Sequence, residues 1–466
     1  MKTYKLLFCF AGLLLLSSCD KQLSQPQPQA SLDDKVAITN ATNADVALTG
    51  AYDILNSGNS YGNQMAYFGD LPADATYQSG TFPSLFEMDN NAILPNNANT
   101  TTAWTTTYNG INRANNIISR IPTLQDPLLE AVANGVKARD RILGESLFLR
   151  AFHYFTLVRF WGGVPLILTP TAGIDASVRV SRNTEAECYD LIVKDLIQAE
   201  PLLPAAFAAN ADTRGRATKG AAQALLSKVY LYRKQYQQAA DKAAQVLANT
   251  TTYRLVTPFS AIFTTKNSTE SVWELQFNAT DQNGITFHYL QAPQGRRENA
   301  PATAIITAFS ASVGDQRAAA TIGRTGAATV PLTQTNSVVV KYNRAATQDD
   351  PIYLIRIAEV ILNRAEALAE ISYPSAEALT LLNQVRTRAG LTPLTADLVP
   401  TVAAFRLAME RERFLEFAFE GHRWHDLRRT GRAQAVLGIT DATKLLFPIP
   451  QRDRDANPNL GQNPGY

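Results

Sequence analysis

Residues 217–248 constrain the fold of this chain more than any other stretch. Ala222, Leu225, Leu226, Val229, Tyr230 and Leu231 share one helical face, and Tyr236, Ala239, Ala243, Val246 and Leu247 share the next. Small residues stand where two helices would touch, and aromatics stand at the turn. A chain written this way buries its apolar faces by laying each helix on its neighbour. A second such hairpin is expected from Ile352–Ile371 with Ala376–Ala389, through Ala358, Leu362, Ala365 and Ala369 and then Leu379, Leu382 and Val385.

Both pairs resemble tetratricopeptide helical hairpins, and several such pairs imply stacked antiparallel helices. Further helices are expected from Thr39 to about residues 56–58, with Val46, Leu48, Ala51, Ile54 and Leu55 on the packed side. Others follow at Ala103–Arg120, Arg139–Phe160 and Glu185–Leu203. Thr184 and Glu187 form a capping box for the last of these, whose Cys188 reads as a core thiol. Residues 61–99 lack a period and read as a long loop with exposed aromatics, Tyr61, Tyr67, Phe68, Tyr77, Phe82 and Phe86. Residues 251–350 form an irregular insert with β-prone stretches at Ser271–Phe277 and Ser337–Tyr342. The expected fold class is mostly α: a tetratricopeptide-like helical-hairpin scaffold with a loop-rich insert holding a few short strands. The expected organisation is a leader over 1–18, a tether over 19–38 and one domain over 39–466, with helical parts at 39–250 and 351–466 flanking the insert.

The leader carries Lys2 and Lys5 before an apolar run, Leu6–Leu16, which is too short to span a membrane. It ends in Leu16-Ser17-Ser18-Cys19, which resembles the bacterial lipobox, so Cys19 is the expected lipidation site. Residues 20–35 are polar and Pro/Gln-rich, which suits a tether. Removing Lys2 and Lys5 brings the 43 basic residues level with the 41 acidic ones. A neutral surface without basic blocks argues against nucleic acid as a partner. Cys9 leaves with the leader and Cys19 is committed, so Cys188 has no disulfide partner within the chain.

Arg411–Gly431, reading RERFLEFAFEGHRWHDLRRTG, resembles the signature of the SusD/RagB family of Bacteroidetes. Residues 144–155, Arg159–Pro165, Leu382–Gly390, the Phe447-Pro448-Ile449-Pro450 run and the Asn/Pro-rich ending at 457–466 resemble it as well. The resemblance implies an outer-membrane, cell-surface lipoprotein that binds a nutrient and passes it to a TonB-dependent, SusC-like transporter. Glycans are the commoner cargo of such proteins and peptides the less common one. Within the signature, Gly421 is placed as a helix-ending glycine, and Glu416 or Glu420 as partners for Arg423 or Arg428. His422 and His425 lie three apart, but the glycine interrupts the helix that would align them, so no metal centre is expected.

The usual nucleophile, phosphate and metalloprotease motifs are missing, and no enzyme activity or cofactor is expected. Asp70 with Asp74, or Glu410 with Glu412, could be imagined as a glycosidase pair, but helix surfaces often carry such carboxylates. Sugar rings lie on aromatic faces and need polar partners beside them. Two segments offer both, and they supply the candidate ligand contacts: Asp70, Asp74 and Tyr77 with Trp104 beyond, and Phe287, Tyr289 and Arg296. Trp273 and His153 read as core. A scaffold lipoprotein that assembles other outer-membrane proteins is the alternative from a different class, and it needs neither aromatic segment.

Overall fold

The computed structural model describes residues 38–171, 179–327 and 329–466; the leader, Cys19 and the tether up to residue 37 lie outside the described residues. The principal helices are α1 (Ala41–Asn56), α2 (Ala98–Arg120), α3 (Ala138–Trp161), α4 (Glu185–Ala199), α5 (Lys219–Tyr232), α6 (Tyr236–Leu247), α7 (Ile357–Ile371), α8 (Ala376–Arg388), α9 (Val402–Glu416) and α10 (Arg423–Arg429). From α1 to α9 each packs on the next, so α6 meets α7 although the whole insert lies between them in sequence. Ala222, Ala239, Ala243, Ala358, Ala365 and Ala369 are all buried at these contacts. The mostly helical, stacked-hairpin architecture is the one the apolar spacing predicts.

Local signals set the helix ends. The Thr184 and Glu187 capping box forms at the start of α4, and the Asn40 side chain accepts from Asn43 N–H at 2.8 Å to start α1. Gly162, at φ +73°, stops α3. That helix is the hub, buried on every side from Gly144 to Trp161. Trp273 fills the space beside it, with ring centroids 4.7 Å from Phe148 and 4.8 Å from Phe152. His153 is buried there too, and Cys188 is buried in α4.

Three local expectations give way. Val46 faces solvent, and Ala41 and Ala44 take the packed side of α1 with Leu48, Ala51 and Leu55. Ile352–Arg356 is strand rather than helix: its β-branched and aromatic residues pair antiparallel with Ser271–Leu275, Glu274 opposite Tyr353. The segment 61–99 is loop over most of its length but also holds short helices at Gln64–Phe68 and Pro83–Asp89. Tyr67 and Phe68 are buried, because Phe68 packs on Phe160 and Phe447.

Apart from a two-residue hairpin, Val132–Ala133 with Val136–Lys137, the strands are short and pair in twos: β1 (Thr76–Gln78) with β3 (Asn299–Pro301), β2 (Ser271–Leu275) with β6 (Ile352–Arg356), and β4 (Ile322–Arg324) with β5 (Ser337–Val339), all antiparallel. The first pair joins the aromatic segment after α1 to the far end of the insert.

The signature at 411–431 is a buried charge network. Arg356 donates to Glu420 Oε2 at 2.8 Å, to Glu270 Oε1 at 3.0 Å and to Glu416 Oε1 at 2.8 Å. Arg317 bonds Glu412, Glu416 and Asp315, Arg388 bonds Glu270 and Glu416, Arg386 bonds Glu412, and Lys341 bonds Glu420 at 2.8 Å. Five cations thus face five carboxylates. The expected pairing of Glu416 or Glu420 with Arg423 or Arg428 does not occur. Between α9 and α10 the chain turns through positive φ at Phe419 and Gly421. Both glutamates therefore point toward the insert, while Arg423 points toward Asp74. Gly421 lies beyond the end of α9 and serves this turn.

Candidate functional site

The two segments that combine aromatics with polar groups meet at the β1–β3 pair, Tyr77 opposite Ala300 and Gln78 opposite Asn299. The register sets Thr81 and Phe82, just after β1, beside Arg296–Glu298, just before β3. Ser79 N–H donates to Glu298 O at 2.8 Å. Pro83 follows Phe82 and starts a short helix, which keeps Phe82 extended at the helix entrance with its ring outward. Phe82 is 37% exposed and Phe287 39%. The Arg296 guanidinium lies 5.2 Å from the Phe82 centroid and 5.7 Å from that of Phe287. Phe86 is exposed one turn on. The result is an aromatic surface with a guanidinium in it, flanked by Thr81 and Ser79 and backed by the buried Glu298.

Of the seven candidate contacts, Phe287 and Arg296 are together on this surface. Tyr77 is half-buried behind it, its hydroxyl donating to Gln334 O at 3.2 Å. Asp74 stands apart, in a bidentate pair with Arg423 at 2.6 and 2.9 Å. Three candidates sit inside the core. Trp104 packs 5.4 Å from Trp161, and Tyr289 stacks on Tyr342 at 5.6 Å. Asp70 is fully buried and accepts from Gly421 N–H at 2.7 Å. Their burial takes these side chains away from any bound ligand. Phe82, expected from sequence as an exposed aromatic of 61–99 but not among the candidate ligand contacts, joins them on this surface, and its position directly before Pro83 is the signal that could have set it apart.

Burial pushes the Asp70 carboxyl up to about 7, against the Gly421 and Arg423 amides that favour its charge. A folded-state value above the unfolded one of about 3.8 means that the folded state binds the proton more tightly. Its contribution is therefore full below about pH 4 and is lost as pH rises toward 7. We expect Asp70→Asn to remove this slope, leaving the variant on the order of 4 kcal/mol less pH-dependent between pH 4 and 8 in urea unfolding. An unchanged slope would show that Asp70 is ionised throughout.

Other carboxylates imagined as acid/base pairs are engaged elsewhere. Glu412 bonds Arg317 and Arg386, and Glu410 bonds Arg432 at 2.9 Å. His422 stacks on Phe417 at 4.5 Å, and His425 meets Phe160 edge-on at 4.5 Å. Burial lowers both imidazole pKa values well below the usual range, and nearby cations such as Lys228 and Arg159 lower them further. A separate cleft of about 480 Å³ opens between the start of α6 and the α9–α10 region, lined by Tyr236, Phe405, Met409 and charged side chains. Its charges pair with one another, Arg406 with Glu370, Arg429 with Glu366 and Arg432 with Glu410.

Residues 23–231 match a family described as starch-binding and associating with the outer membrane, and residues 308–444 match the SusD family itself. Two proteins of Formosa agariphila align almost end to end: SusD-like protein P2, 29% identical over 100% of both chains, and SusD-like protein P38, 26% identical over 98% of this chain and 97% of its own. Among solved structures, a laminarin-binding SusD-like protein superposes with a TM-score of 0.78 at 26% identity, over 92% of this chain and 100% of its own. A SusD homolog from Bacteroides thetaiotaomicron shares the fold at a TM-score of 0.79 and 22% identity, over 96% and 100% of the two chains. Among the described residues no helix is long and apolar enough to cross a membrane. SusD family matches over residues 23–231 and 308–444, full-length relatives and a signature folded into the core together place the chain in the SusD/RagB family.

Proposed function

We propose that this protein captures an oligosaccharide at the cell surface on the Phe82–Phe287–Arg296 platform and hands it to a TonB-dependent, SusC-like transporter in the outer membrane. The observation that carries the reading is the pair of exposed phenylalanine rings, Phe82 and Phe287, brought to the β1–β3 junction with the Arg296 guanidinium within 6 Å of both. Exposed rings give sugar C–H faces something to stack on, and the adjacent hydroxyl and guanidinium groups answer sugar hydroxyls. The family's carbohydrate-binding character and the laminarin-binding neighbour support the cargo. Cys19 would carry the lipid anchor, with residues 20–35 as slack between membrane and body. The chain acts by binding, without chemistry on the glycan.

Titration against a panel of gluco-oligosaccharides, laminarin fragments first, tests the reading. Phe82→Ala and Phe287→Ala should each weaken binding by about tenfold, since each removes one stacking face. Binding that survives both substitutions would move the site elsewhere, and binding of peptides alone would replace the cargo. A tagged chain extracted with its membrane should bring a transporter barrel with it, and recovery of the chain alone would count against the delivery step.

A further inference from the structure

The exposed cation of the platform already has a partner. Arg296 Nε is 3.0 Å from Glu298 Oε1, with the arginine side chain 50% exposed and the carboxylate buried. Its Nη2 also donates to Thr81 Oγ1 at 3.2 Å. Glu298 is fixed in turn, because Oε2 accepts from Gln78 Nε2 at 3.2 Å and from Thr81 N–H at 3.1 Å. The loop comes this close because residue 80 is glycine: a Cβ there would stand 1.5 Å from Glu298 Oε2. The neighbouring Arg297 turns away, with Nε and Nη2 on the carbonyl oxygens of Ser337 and Gln334 at 2.9 and 2.8 Å.

A guanidinium held this way keeps its flat face and its remaining N–H donors, so it can still stack and donate to hydroxyls. What the Arg296–Glu298 pair lacks is net charge. A carboxylate or sulfate arriving at Arg296 meets Glu298 immediately behind, and the repulsion offsets most of the attraction.

We propose that Glu298 sets the ligand class of the platform: by holding Arg296 as half of an ion pair, it admits uncharged sugar chains and disfavours uronate and sulfated ones. This rests on the capture reading above. In the free protein the platform is then a hydrogen-bonding, stacking surface rather than an anion site.

The test is a titration of wild type, Glu298→Gln, Arg296→Met and the double variant against neutral gluco-hexasaccharides and a mannuronate hexasaccharide of equal length. Wild type should bind a neutral chain at least about tenfold more tightly than the mannuronate. Glu298→Gln should strengthen mannuronate binding about tenfold at low salt and leave the neutral chain within about twofold. High salt and the double variant should each erase the gain. If Glu298→Gln loses its far-ultraviolet dichroism, Arg296→Met alone still decides, because the buried carboxylate left behind should widen the preference for neutral chains. Equal wild-type affinity for both classes, or a preference that neither single variant moves, overturns the role of Glu298 and leaves capture standing. A wild type that binds no glycan in the panel overturns the capture reading, and the proposal with it.

Discussion

Arg356→Met is expected to cost about 3–5 kcal/mol of stability, read as a lower urea midpoint with an unchanged slope. The arginine is 2% exposed and bonds Glu270, Glu416 and Glu420 at once. Methionine fills much the same space but leaves three interior carboxylates short of a counter-charge. Burial alone would raise the Glu416 carboxyl, yet Arg388, Arg356 and Arg317 together hold it down to about 2. A depressed value means that its contribution is present above about pH 4.5 and drains away as pH falls toward 2. The variant should therefore show a weaker acid dependence as well as lower stability at neutral pH. Arg406→Met supplies the contrast: its pair with Glu370 is more than half exposed on the arginine side, and its loss should cost under about 1 kcal/mol. Equal losses in the two variants would mean that the buried network is no more important than a surface bridge.

Gly69→Ala is the second large effect. A Cβ at residue 69 would lie 1.9 Å from the carbonyl oxygen of Gly421 and 2.4 Å from its carbon. Those are backbone atoms, so no side chain can swing aside. The opposing turn is held in place, since Trp424 N–H donates to Gly69 O at 2.7 Å and Gly421 N–H to Asp70 at 2.7 Å. Separation of the two segments should cost about 3 kcal/mol or more, at the upper end of what overpacking does. Gly50→Ala is the matched control. It sits inside α1 with its nearest neighbour 3.7 Å from the new Cβ, so the gain in helix propensity should hold stability level or raise it by up to about 1 kcal/mol. Thermal unfolding of the two variants side by side decides the matter, and a mild loss at Gly69 would mean that the contact gives way easily.

Helices whose apolar faces repeat every turn were legible in the sequence, as α5 and α6 show, because each face has one neighbouring helix to meet. Ile352–Arg356 was not, since a short apolar run fits helix and strand alike and only the distant Ser271–Leu275 decides it. The site divides along the same line. Phe287 and Arg296 could be named because a loop-like context exposes aromatics, and Tyr289 could not be told apart from Phe287 two positions earlier. Its burial comes from Tyr342, and that of Asp70 from Gly421, both remote in sequence. The charge pairing around Glu416 failed for a related reason. Arg317 from the insert, Arg356 from β6 and Arg388 from α8 fill the space around that carboxylate, and nothing near the signature itself announces them.

The bond from Gly421 to Asp70 spans 351 positions, and that span sets an order of events. Synthesis delivers the N-terminal aromatic segment first, but its anchor belongs to the last tenth of the chain. Until that anchor docks, the Asp70 carboxyl lacks its Gly421 partner, and β1 waits on the insert for β3. Long-range closures of this kind are slow. The junction under the proposed platform thus closes only after β3 has been made, and the buried Asp70 behind it finds its anchor only when the chain reaches Gly421.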